Sequence, residues 1–291
     1  MSITALIGLA LQLSMALIIC SVALEASFAD LMYLWRRPGL LVRSLVAMLV
    51  VMPLFATAML LKFDLNHAVV TALLASAISP VPPILPNKQI KAGGEAAYVI
   101  GLLTTTALVA IVYVPLSAAL LQRMFQRPID VEVASIVKIV ATSMLLPALA
   151  GMAVHEWAPK LARRIEKPLS HFATVVLVLA CIPILIKEWP AMGRLVGDFS
   201  VVAMVSFAVV GLAVGHLLGG PSEGGRTVLA LATASRHPAV AIAITHNAID
   251  KPGVMAAVLL SLLVGTIVAI PYVRWRQHSF EAAAVAGSGQ H

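Results

Sequence analysis

Charge is what this sequence has least of. Only 11% of its 291 residues are Asp, Glu, Lys or Arg, less than half of the roughly 25% usual in a soluble domain, and mean hydropathy is +0.98. A water-soluble globule is excluded, because too little polar surface exists to coat one. Cysteine is nearly absent. Cys20 and Cys181 both lie in apolar runs, so neither a disulfide framework nor a paired-cysteine metal or redox site is expected. Also missing are a nucleotide-binding loop, a zincin motif and a nucleophile elbow. No loop between apolar runs exceeds about fifteen residues, so there is no room for a soluble catalytic domain. An enzyme and a resident cofactor are not expected, nor is a nucleic-acid partner, since the net charge of +7 in so apolar a chain bears first on topology.

What is present is hydrophobic: 60% of the chain. The apolar stretches are continuous rather than alternating, which selects helices over a barrel and gives an all-α polytopic membrane protein. Reading from break to break predicts nine transmembrane helices near 3–24, 40–61, 68–87, 95–121, 132–154, 169–186, 197–219, 226–247 and 252–272. The first run lacks a basic leader and is expected to stay as a span. Placing the C-terminus in the cytoplasm and the N-terminus outside gives the inner side twelve basic residues and the outer side six.

Two spans break the rule that lipid-facing helices keep. The third carries Ser79-Pro80-Val81-Pro82-Pro83-Ile84-Leu85-Pro86, whose prolines remove donors and collide with preceding carbonyls. Extended backbone at membrane depth is tolerated only under cover of protein or a polar cavity, so this span belongs inside. The eighth holds Ser235-Arg236-His237-Pro238 roughly 15–18 Å along its length, near the bilayer midplane. The two segments also match each other without gaps: Thr71 to Pro82 against Thr227 to Pro238 agree at four of twelve positions, Thr, Leu, Ser and Pro. Paired interruptions in spans of opposite direction point to an inverted-repeat secondary transporter, with the substrate where they meet.

Helix ends opened in the membrane interior favour an anion, and Arg236 and Lys88 add full positive charge to that region. The candidate substrate-binding residues are Ser79, Pro82, Lys88, Thr105, Ser235, Arg236 and His237, and His237 is also the candidate coupling group, because imidazole titrates near neutral pH. Each has a plainer reading. Arg236 is either a substrate group or a structural cation paired with Glu95 or with helix-end carbonyls. Lys88 either reaches the cavity or snorkels to the surface. Ser79 and Ser235 either bind or cap, and the Thr104-Thr105-Thr106 run either lines a cavity or bonds back to the preceding turn. Asp130, Glu132 and Lys138 read as an interfacial cluster rather than a proton relay. His155, His171, His216 and His246 lack metal-ligand spacing.

These residues resemble a known family. The block from Ser79-Pro80-Val81-Pro82-Pro83 through Lys88-Gln89-Ile90-Lys91-Ala92-Gly93-Gly94, with Arg226-Thr227 opening the eighth span, is similar to the two crossover regions of the bile acid:sodium symporter family. The resemblance implies two inverted repeats with two crossing interrupted helices, divided into a panel and a core that move against each other. Carried over, residues 1–61 supply the first panel helix and the first core helix, 62–130 the first crossover region, 131–194 two panel helices, and 195–272 the second half of the core with the second crossover; 273–291 remain as a cytoplasmic tail, which the Ala/Gly/Ser-rich composition from Gln277 on predicts to be disordered. It also implies an organic anion as substrate, membrane lipid as surroundings and a bacterial inner membrane as location; nothing in it fixes the oligomeric state.

The departures from that family's pattern are specific. Where sodium-coupled members carry a Glu in the second crossover, this chain has Leu231; their Gln-Asn-Ser-Gly reads Ser235-Arg236-His237-Pro238, and their Ser-Asn pair aligns with Leu85-Pro86. A guanidinium beside a cation site raises the cost of placing sodium there. The expectation is a secondary transporter of a small organic anion by alternating access, sodium-independent or linked to protons. The alternatives are a conventional sodium-coupled symporter whose ion is held by backbone carbonyls and hydroxyls, and a membrane receptor on a transporter fold that does not turn over.

Overall fold

The computed structural model describes residues 3–125, 133–197, 199–245 and 251–288. Asp130, Glu132 and His246, and the expected boundary between 130 and 131, lie outside the described residues. Every regular element among the described residues is helical: α1 Ile3–Ala23, α2 Phe28–Leu31, α3 Pro38–Leu45, α4 Met52–Lys62, α5 His67–Ile78, α6 Leu85–Lys91, α7 Ala96–Phe125, α8 Val133–Val140, α9 Leu146–Trp157, α10 Pro159–Arg194, α11 Ser200–Leu218, α12 Glu223–Ala234, α13 Pro238–Ile244 and α14 Lys251–Ser288. A π-helical stretch, Val46–Val51, makes α3 and α4 one rod, and a second, Ala141–Leu145, does the same for α8 and α9.

Eight segments among the described residues are long and apolar enough to cross a membrane, which makes this an integral membrane protein. The third of the nine expected spans is not one of them. Its first helix, α5, has 12 residues, about 18 Å at 1.5 Å per residue, too short for a hydrocarbon core of about 30 Å. Burial sorts the segments. The window in α10 is only 17% buried, and Phe172, Val178, Leu179, Ile182 and Ile186 face outward, as lipid requires. The segment Glu223–Ile244 is 72% buried, and α5 is covered along most of its length, so both interrupted segments lie inside the bundle.

Helix α1 packs against α9 and α10, while α11 packs against α12 and α14, and α5 against α14, α13 and α4. Close backbone approach fixes the α11–α12 pair. Gly211, Gly215 and Gly219 recur every fourth residue on one face of α11 or at its end, and a Cβ on any of them would strike the backbone of α12 or its cap; that on Gly211 would lie 2.8 Å from Ala234 Cα. Small residues at this spacing let two helices pack by dispersion where water supplies no driving force. The residues after Gln277, expected to be disordered, instead continue α14 as helix to Ser288. Gln277 donates to the Lys91 carbonyl, and Phe280 packs over Gly93, whose φ of +80° suits glycine.

Candidate functional site

Helix α5 stops where its prolines begin. Ser79 is extended, with φ −79° and ψ 150°, and Pro80, Pro82 and Pro83 have no N–H with which to continue the ladder. Helix α12 stops for the related reason that the residue before a proline avoids helical geometry: His237, before Pro238, has φ −75° and ψ 106°. The two breaks bond to each other. The His237 N–H donates to the Pro80 carbonyl at 2.9 Å, and Arg236 Nη1 donates to the Ser79 carbonyl at 3.2 Å. Around this junction α5 packs on α13 and α6 on α12, the latter tied by Gln89 Nε2 donating to the Val228 carbonyl at 2.7 Å.

A second carbonyl reaches Arg236 from the α3–α4 rod. Pro53 has no N–H for Leu49, four residues back, or for Met48, five back, and the N–H of Met52 has moved to the Ala47 carbonyl. The orphaned carbonyls find side-chain donors instead, as buried carbonyls must. Arg236 Nη2 donates to Met48 at 3.1 Å and Tyr113 Oη to Leu49 at 2.6 Å. Arg236 therefore joins three elements: its own break, the end of α5 and the π-helical stretch. The side chain is 6% exposed. Of its two structural readings, carbonyl pairing is the one realised. Glu95 is engaged elsewhere, accepting from Tyr33 Oη at 2.5 Å and lying 3.6 Å from Arg37 Nη1.

The other candidate residues divide. His237 is fully buried, and neither ring nitrogen has a partner. Thr105 is also buried with an unpartnered hydroxyl, whereas Thr104 and Thr106 bond back to Ile100 and Leu102. Ser235 and Arg236 line a small pocket of about 40 Å³ together with Ser76 and Ser261. The Ser79 hydroxyl donates to the Ala75 carbonyl at 2.7 Å, so its part at the junction is played by its backbone oxygen. Pro82 is buried, and its carbonyl accepts the Leu85 N–H at the start of α6. Lys88 is half-buried on α6 and is not brought to that pocket. Leu231 is buried and apolar, as is Leu85.

Sequence reasoning missed three features. Pro53 carried the signal for the π-helical stretch but was read as part of an unbroken run. Ser261, one serine in an apolar helix, carried none. At one end of the bundle Glu223 sits between two arginines, accepting from Arg226 Nη1 at 3.0 Å and Arg276 Nη1 at 2.5 Å, while Arg276 Nε donates to Thr227. That cluster borders a second, larger pocket of about 650 Å³ with Glu95, Trp275 and Phe280. Among the described residues no group of three His, Cys, Asp or Glu side chains can hold a metal ion.

A polytopic helical bundle of membrane-length helices with two broken segments joined inside it has the general form of a secondary transporter. The chain belongs to the Sodium Bile acid symporter family, whose family model matches residues 12–192. The matched region contains the first break and ends before the second. No curated protein matches the chain.

Proposed function

We propose that the protein moves a small organic anion across the membrane by alternating access. In this reading α1, α8–α9 and α10 form the panel, the remaining spans form a core of inverted repeats, and nine crossings result when α5 and α6 count as one. The substrate site lies where panel and core face each other near the crossing, with Arg236, His237, Thr105 and Ser235 closest to it and Ser79, Pro82 and Lys88 shaping its approach. The observation that carries the reading is the hydrogen-bonded junction of the two breaks, Arg236 and His237 on Ser79 and Pro80. Such a junction gives a transporter a fixed central point around which the two sides open in turn. The orientation that best suits the charge distribution is N-out, C-in, in a bacterial inner membrane.

Transport in this reading does not need sodium. Arg236 already satisfies Met48 and Ser79, two carbonyls from separate elements of the kind a bare cation would need as ligands, and Leu231 offers no carboxylate. The guanidinium then acts as a permanent tethered cation. Proton linkage is the second reading, with His237, whose two ring nitrogens have no protein partner, as its candidate group.

Counterflow of radiolabelled organic anions in proteoliposomes tests the proposal. Substrate-specific exchange in sodium-free buffer supports it, and dependence on a pH gradient selects the proton-linked form. Strict sodium dependence overturns the tethered-cation reading, and specific binding without flux makes the protein a receptor.

A further inference from the structure

We propose that the small pocket against the α12–α13 break binds a monovalent anion, with Arg236 as its charge partner. The proposal rests on the transport reading only in sharing Ser235 and Arg236 with the substrate site; it is tested by binding without flux, so the two can fail separately.

The charge is the first argument. Arg236 lies deep in the bundle, 6% exposed, and its two Nη groups meet only neutral carbonyls. Among the described residues no carboxylate forms an ion pair with it; the ion pairs of Glu95 and Glu223 are with Arg37, Arg226 and Arg276. A buried charge without a counter-ion is costly, and an anion in contact with it removes much of that cost.

The donors are the second. Arg236 Nε is buried without a partner. Three serines that line the same pocket, Ser76, Ser235 and Ser261, have hydroxyls that bond to no protein group. This is unusual here, because helix hydroxyls elsewhere in the chain donate one turn back: Ser79 to Ala75, Thr106 to Leu102, Thr233 to Leu229. Three serines and an arginine whose Nε has no partner thus line one pocket, and much of the remaining wall is apolar, including Met204 and Phe207. A few polar groups in an apolar pocket are the usual make-up of a small-ligand site. Their sign excludes a cation, since no acid lines the pocket and a guanidinium does.

The pocket shares Ser235 and Arg236 with the proposed substrate site and otherwise lies on the side of the break away from the proposed panel. Its walls come from α5, α11, the α12–α13 break and α14, and no residue of α1, α9 or α10 contributes. A halide and the carboxylate of an organic solute share the chemistry these donors recognise.

The test uses the full chain purified in detergent, in halide-free HEPES with gluconate holding ionic strength constant. Bromide or acetate is titrated against the thermal unfolding midpoint, and crystals grown in bromide are measured at its absorption edge. A saturable rise in the midpoint is expected, with an anomalous peak beside Arg236 Nε. Ser261→Ala is expected to weaken the apparent affinity about tenfold, the effect of one hydrogen bond to a charged group, and Arg236→Gln to abolish the response. Should Arg236→Gln fail to fold, Ser76→Ala and Ser261→Ala decide alone, because each removes only a hydroxyl. Bromide acting while acetate is inert identifies an inorganic ion, and acetate displacing bromide identifies a carboxylate; either supports the site. No saturable response to either anion, or a response unchanged in both serine variants with no peak in the pocket, overturns it.

Discussion

The guanidinium of Arg236 bonds to backbone carbonyls of two other elements, and those bonds say what removing it does. Arg236→Ala leaves the Met48 and Ser79 carbonyls unpaired in the interior, at about 1.5–3 kcal/mol for each bond made by a charged donor. A clear fall in thermal stability is expected. If the side chain acts as a tethered cation, free guanidinium at low millimolar concentration should restore part of that stability and part of the flux, and urea, uncharged and of similar shape, should not. Rescue by sodium instead would show that the alanine variant has opened a site for a hard cation. Thr105 gives an opposite test. Its hydroxyl is buried without a partner, so Thr105→Val should be neutral or stabilise by about 1 kcal/mol. A simultaneous loss of flux would mark the hydroxyl as a substrate contact, while full activity would make it a packing residue.

Elements, rather than single residues, deliver Arg236 to its acceptors, and the π-helical stretch before Pro53 is the least obvious of them. Pro53→Ala restores a backbone N–H within reach of Met48 or Leu49. In an isolated helix that change is favourable by about 3 kcal/mol. Here it should draw the rod toward regular α-geometry and take the Met48 carbonyl from Arg236, so flux should fall at least tenfold although the helix itself is improved. A variant that is more stable and fully active would refute the role given to Pro53. The two large breaks were legible because proline acts locally: Pro80, Pro82 and Pro83 end α5, and Pro238 ends α12, whatever surrounds them. That the breaks meet follows in the sequence from their likeness, their opposite directions and the family resemblance, whereas the bonds from Arg236 and His237 depend on tertiary approach that no local pattern encodes. The same limit explains Glu95, which lies close to the crossover in sequence but bonds Tyr33 and Arg37 instead. It explains α14 too, whose Ala-rich end is helical to Ser288 where composition suggested a disordered tail.

Alternating access is a claim about the whole molecule, and it requires two groups of helices to move relative to each other. Helices α1, α9 and α10 pack mainly among themselves, and so do α5, α11, α12 and α14. Between the groups α10 packs on α14 and α1 on α6, and α6 meets α10 through a single polar bond, Asn87 Nδ2 donating to Ser170 Oγ at 3.2 Å. A half-buried bond between neutral groups contributes little, about 1 kcal/mol, so it is a contact that a moving interface can break and remake. Replacing Cys20 and Cys181 with Ala, then introducing Asn87→Cys with Ser170→Cys, puts a cross-link across that seam. If the two groups move as rigid bodies, oxidation should arrest counterflow and reduction should restore it, while binding of substrate from one side persists. The same cross-link placed within one group, for instance between α1 and α9, should leave flux intact. Equal activity with the α6–α10 link closed and open would mean that this contact does not separate during transport, and the division into panel and core would have to be drawn elsewhere.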